Sequence, residues 1–227
     1  MKKWMRYFTL QESCLWLASA AAILIFFFLF DGESYLTLLA SLIGITSLIF
    51  NAKGHPVGQV LMILFSLLYG IISWGFCYWG EMITYLGMTM PMAAAALISW
   101  LRHPYQGKKS QVAVNQIRGR EWALALLLTA LVTGIFYWIL LAFDTPNLFF
   151  STLSVATSFL AAYLTFRRSP FFALSYAAND VVLIILWLLA AGENPAYYSV
   201  VICFAAFLTN DLYGFFSWRR MEGQQHK

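Results

Sequence analysis

The chain has 227 residues, 61% of them hydrophobic and 11% charged, against roughly a quarter charged in a soluble domain. That composition excludes a water-soluble globular fold and predicts an all-α protein embedded in a bilayer. The net charge of +4 is explained by membrane topology and calls for no nucleic-acid partner.

Crossing the hydrocarbon takes about 20 mostly apolar residues, and the chain divides into eight predicted spans: 12–30, 33–51, 56–79, 81–101, 121–143, 147–166, 171–191 and 195–218. The first follows Lys2, Lys3 and Arg6. Its small-residue triplet "ASA" precedes the main apolar run instead of following it, so it reads as an uncleaved span. The third span carries Gln59, Ser66 and Ser73 at intervals of seven, with Met62 and Tyr69 beside them, a polar stripe on one helix face. The fourth presents "AAAA" at 93–96 for close packing, and its Pro91, with Gly70 of the third span, would help helices bend. The loop after it, "RHPYQGKKS", fails as a phosphate loop: Arg102 replaces the first Gly, and Lys109 the Ser or Thr that should follow Gly-Lys.

In the seventh span Tyr176, Asp180, Leu183 and Trp187 share one helix face, so two aromatic rings flank a carboxylate, with Asn179 adjacent. The eighth adds Asn210 and Asp211, near Tyr213 and Gly214. Along the helix axes Asp180 lies ~18 Å from Arg168 and Asp211 ~12 Å from Arg219, both inside the hydrocarbon. An acid there costs about 2.5–3.5 kcal/mol on insertion scales, which marks it first as a functional candidate. The competing reading is an interhelical hydrogen bond.

Trp79, Trp100, Tyr78 and Trp218 stand at span ends, where interface anchoring is expected. Cys14, Cys77 and Cys203 are solitary and indicate neither a disulfide framework nor a metal cluster. No His lies in a predicted span; His55, His103 and His226 are in polar ends, so an embedded enzyme lacks its acid–base pair. No cofactor is expected, and lipid is the surrounding partner.

All 14 Lys and Arg occupy the termini and the even-numbered loops, whereas Asp31, Glu33, Glu81, Asp144 and Glu193 hold the odd ones. The positive-inside rule then predicts a multi-pass cell-membrane protein with both termini cytoplasmic. Glu81, at the outer rim, reads equally as an ordinary topological marker or as one half of a Gly80-Glu81 motif. Pro56 and Pro170 are 114 residues apart and Trp100 and Trp218 are 118 apart. The expected organisation of the single membrane domain is therefore an extra span 12–30, a three-helix repeat 33–101, an inverting linker helix 121–143 and a second repeat 147–218. Such parallel repeats enclose a substrate cavity. The offsets map Asp180 onto Ser66, Trp187 onto Ser73 and Asp211 onto Ala93, so only the second repeat carries acids.

The stretch "NAKGHPVGQVLMILFSLLYGIISWGFCYWGEMITYLGMTMPMAAAALISWLRH" is similar to the first half of PnuC-type vitamin transporters, with their "AKGK", Gly-Glu-Met after an aromatic residue, a following Pro and a Trp near the cytoplasmic end. "RRSPFFALSYAANDVV" through "LYGFFSWRR" resembles their second half. The resemblance implies a SWEET-like fold, a homotrimer, and facilitated diffusion of nicotinamide riboside, trapped afterwards by a cytoplasmic kinase. Where the family tends to carry two Trp spaced by three, with Asn or Asp four later, this chain has Ala173, Tyr176 and Asp180. The departure leaves thiamine, or another cationic aromatic vitamin, as the alternative substrate, with ion coupling also open. A flat cationic ring would want aromatic faces, a carboxylate and amide partners. The expected substrate-binding set is Tyr176, Asn179, Asp180, Trp187, Asn210, Asp211, Gln59, Ser66 and Tyr69.

Overall fold

Thr9 opens the first helix: its hydroxyl accepts from the Glu12 amide at 3.2 Å while the Glu12 carboxylate accepts from the Thr9 amide at 2.7 Å. This reciprocal cap satisfies two donors that a helix start leaves open. A computed structural model describes residues 7–75 and 79–226. Lys2, Lys3, Arg6, Cys77, Tyr78 and Lys227 lie outside the described residues.

Among the described residues, eight helices are long and apolar enough to cross a membrane: α1 (Leu10–Asp31), α2 (Tyr35–Ala52), α3 (Val57–Gly75), α4 (Trp79–Arg102), α5 (Gly119–Ala142), α6 (Leu148–Phe166), α7 (Phe171–Ala191) and α8 (Pro195–Gln225). α8 continues seven residues past its predicted end, where Arg219 pairs with Glu222 one turn on. α4 contains a π-helical turn at Tyr85–Thr89 just before Pro91. Proline has no N–H to continue the ladder. The Thr89 hydroxyl donates to the Thr84 carbonyl at 3.3 Å across this turn. The loop between α4 and α5 departs from the all-helical expectation with a short hairpin, β1 (Pro104–Tyr105) against β2 (Lys108–Val112).

Packing follows a closed circuit. α2 packs on α3, α3 on α4, α4 on α6, α6 on α7, α7 on α8, and α8 back on α2. α1 lies outside this ring against α2 and α8, and α5 lies outside it against α6. Much of α5 is accordingly exposed, with Leu127, Ile135 and Trp138 presented outward, as expected of a face solvated by lipid tails.

The two turns that carry the family-like motifs have the same geometry. Gly54 (φ 65°) and Arg168 (φ 58°) are both left-handed and stand 114 residues apart. The His55 amide donates to Phe50 O and the Ser169 amide to Leu164 O, each at 3.0 Å. The loop between α4 and α5 bonds to both turns, Val112 N–H to Gly54 O and Asn115 N–H to Arg168 O, each at 3.0 Å. Beneath it Val112, Val114, Trp100, Trp218, Phe172, Ala173, Leu164 and Met221 form one apolar cluster.

Trp100 and Trp218 correct the interface-anchor expectation. They are 1% and 0% exposed, and each indole N–H crosses a junction of the ring. Trp100 Nε1 donates to Thr165 O at 2.9 Å, from α4 to α6; Trp218 Nε1 donates to Asn51 O at 2.7 Å, from α8 to α2. The preceding serines repeat the pattern, Ser99 to Phe166 O at 2.8 Å and Ser217 to Ala52 O at 2.7 Å. Among the described residues of that set, the half-exposed Trp79, edge-on to Trp74 at 5.5 Å, keeps the partly exposed position of an interfacial ring.

Candidate functional site

The described Lys and Arg residues all fall in the turns and helix ends at one end of the bundle, called here the basic end. Three acids stand at that end, and each has a cation: Glu12 with Lys53 at 2.9 Å, Glu121 with Arg167, and Glu222 with Arg219. At the same end burial, and then the Glu12 carboxylate, push the Tyr7 phenol up to about 12. Burial, with Arg167 beside it, holds Arg168 below the usual guanidinium range.

The seven other acids have no ion pair among the described residues. Four of them are outside the core, but Glu81, Asp180 and Asp211 are 6%, 3% and 4% exposed. Asp180 of α7 and Asp211 of α8 bring their carboxyl groups beside one another. Asp180 Oδ2 is buried with no hydrogen-bond partner among the described residues. Tyr176, half-buried, lies beside both, its hydroxyl meeting the Thr165 side chain.

Toward the end opposite the basic one, aromatic rings close around this pair. Tyr69 of α3 lies 4.4 Å from Tyr85 of α4, centroid to centroid, 5.5 Å from Phe65, 6.2 Å from Phe204 and 6.4 Å, edge-on, from Trp187. Phe207 joins through Phe65 at 5.5 Å. The Tyr85 phenol is near both Asp180 and Glu81. Two cavities of about 70 Å³ reach Trp187 from that end, one between α2, α3, α7 and α8, the other between α4, α7 and the α5–α6 turn.

Of the expected site residues, the structure therefore brings Asp180, Asp211, Tyr176, Tyr69 and Trp187 into one region, with Ser66 fully buried on the same face of α3, its hydroxyl donating to Met62 O. The other three are engaged with neighbouring helices. Gln59 donates to Asn51 Oδ1 at 2.9 Å. Asn179 Oδ1 accepts from Thr157 at 2.9 Å and Ser158 at 3.1 Å on α6. Asn210 donates to Ser19 Oγ of α1 at 2.9 Å and to Ala206 O at 2.8 Å. Sequence reasoning missed Tyr85, Phe65, Phe204 and Phe207. The last two had a signal: with Asp211 they stand at i, i+3 and i+7 on one face of α8.

Glu81 is a second correction. It is not an exposed marker at a rim; its Oε2 is buried with no hydrogen-bond partner among the described residues. Close packing holds it in, since a Cβ added at the preceding Gly80 would meet Leu140 and Thr145 side-chain atoms at 2.6 Å. Among the described residues no group of three or more His, Cys, Asp and Glu could hold a metal ion.

The arrangement suits a cation with a flat ring. Carboxylates without a protein cation supply the charge, and the ring faces supply cation–π contact. Comparison with known proteins points the same way. The profile of the family described as "Nicotinamide mononucleotide transporter" matches residues 34–220. The chain is 23% identical over 213 residues to the nicotinamide riboside transporter PnuC of Neisseria mucosa, covering 91% of this chain and 80% of that one. It is 23% identical over 208 residues to the nicotinamide riboside transporter PnuC of Haemophilus influenzae, covering 91% and 89%. The fold superposes with a TM-score of 0.84 and 20% identity on the crystal structure of the vitamin B3 transporter PnuC, covering 96% of this chain and 94% of that one. With most of its length matched by the family profile, and with PnuC transporters as relatives, this multi-pass membrane protein belongs to the nicotinamide mononucleotide transporter family.

Proposed function

We propose that the chain carries nicotinamide riboside across the cell membrane by facilitated diffusion, with a separate cytoplasmic kinase trapping the product. The observation that carries this reading is the contact of Asp180 with Asp211, buried among aromatic rings with no Lys or Arg at that depth. The pyridinium supplies the missing positive charge and a flat face for Tyr69, Tyr85 and Trp187. The same residues favour the riboside over the mononucleotide, because a phosphate would meet carboxylates where it needs an Arg or Lys. Gln59, Ser66 and Asn179 complete the proposed set at its margins, and Asn210 supports it from behind by holding α8 on α1.

The two three-helix units, α2–α4 and α6–α8, act as the rocking halves in this reading, with α5 as the inverting linker and α1 as an extra span. Support comes from the paired left-handed turns and the reciprocal Trp bonds at the two junctions. The basic end is assigned to the cytoplasm, and a homotrimer is assigned from the resemblance to PnuC.

Titration calorimetry of the purified protein tests the substrate. Nicotinamide riboside should bind, its mononucleotide at least tenfold more weakly, and Asp180→Asn should weaken the riboside at least tenfold, about 1.4 kcal/mol. Unchanged affinity in that variant would remove the central assignment. Thiamine is the second reading, because Ala173 stands where the family tends to carry Trp and is packed against the apolar cluster at the basic end. Running thiamine alongside separates the two, and uptake into liposomes with no ion gradient separates diffusion from coupled transport.

A further inference from the structure

We propose that Glu81 forms a second cation-binding station, distinct from the Asp180–Asp211 pair, which takes the charged ring of the substrate on the α4 side of Trp187. The proposal rests on the reading above that the cargo is a cationic aromatic.

Four observations carry it. Glu81 is 6% exposed, and its Oε2 has no hydrogen-bond partner among the described residues. Every described Lys and Arg lies at the opposite end of the bundle, so the described residues offer Glu81 no counter-ion. The carboxylate lines the cavity between α4, α7 and the α5–α6 turn, whose other polar groups are Thr145, Asn147, Ser151 and Glu193. The cavity's apolar wall includes Trp187 and Leu186.

The chemistry of that lining fits a riboside in particular. A carboxylate beside the Trp187 face supplies charge and a ring surface together. Hydroxyl and amide side chains on the other wall can pair with sugar hydroxyls. Tyr85 is near both Glu81 and Asp180. At about 70 Å³ the cavity is far smaller than a riboside, so the ring reaches Glu81 only as Trp187 and its neighbours move. A carboxylate at each side of the aromatic cluster lets a cation exchange one counter-charge for the other without crossing the hydrocarbon alone, where charge is expensive.

The test is initial-rate influx of radiolabelled nicotinamide riboside into liposomes holding the full chain, with binding in detergent measured in parallel. Glu81→Gln, which keeps the shape and removes the charge, should raise the half-saturating concentration about tenfold, and Glu81→Asp should recover at least half of that loss. Asn147→Lys adds an ammonium at the exposed rim of the same cavity and should raise the half-saturating concentration too. It decides the matter if Glu81→Gln does not fold. Glu81→Gln with an unchanged half-saturating concentration overturns the proposal, as does an equal loss in the Gln and Asp variants, which marks a packing role. If Glu81→Gln is silent while Asp180→Asn loses binding, the transport reading stands and the second station falls. If the wild-type chain binds no riboside, both fall.

Discussion

Adjacent residues on a helix point about 100° apart, and at positions 210 and 211 that turn separates two roles. Asn210 faces outward to α1, where its amide holds the Ser19 hydroxyl; Asp211 faces inward to Asp180. Truncating Asn210 leaves Ser19 buried without its partner, at a cost of about 1–3 kcal/mol. Asn210→Ala should therefore lower the melting temperature in detergent while riboside affinity stays within twofold. Asp211→Asn should do the reverse, weakening affinity at least tenfold with little loss of stability. Sequence placed both residues inside one long helix, because hydropathy marks the span. It could not separate them, because the partner of Asn210 lies 191 residues away in the chain. Trp100 and Trp218 were misread for a related reason: a Trp at a span end looks interfacial until a second helix is seen to cover it and accept its N–H.

The element that most affects the site is α4. Its π-helical turn inserts one residue between Glu81 and the packed Ala93–Trp100 stretch, rotating the upstream face by about 100° relative to an uninterrupted helix. That rotation aims Tyr85 at Tyr69 and Glu81 at its cavity. Pro91→Ala restores an N–H and permits the regular ladder, so Tyr85 and Glu81 should swing off the path. We expect transport to fall at least tenfold with the melting temperature unchanged or raised, checked by influx and thermal denaturation together. The eight spans were legible from hydropathy alone, and the 114-residue offset from two prolines. The aromatic cluster was less so: Phe204 shows a period only against Asp211, and Tyr85 lies in the π-helical turn, where regular helical spacing no longer gives the face.

At the scale of the whole molecule, the six-helix ring has two junctions where its halves meet, and each is tied at the basic end by one Trp and one Ser donating to a backbone carbonyl. The carbonyls of Thr165 and Asn51 also accept from the turn amides of Arg168 and Gly54, so losing an indole leaves neither wholly unsatisfied. Trp100→Phe and Trp218→Phe should each cost about 1–3 kcal/mol, the lost hydrogen bond plus the space left by the smaller ring. The two ties have no shared acceptor, but the two rings touch, with centroids 5.4 Å apart, and residues in contact couple by about 0.5–3 kcal/mol. Opening the basic end by rocking one half against the other must break both ties in a single motion. The double variant should lose more than either single one in thermal denaturation yet depart from their sum, because the ring contact is shared, and it should accelerate exchange of riboside across liposomes preloaded with it. A double variant no worse than either single one would mean that one junction opens alone, and the halves would then hinge at the other.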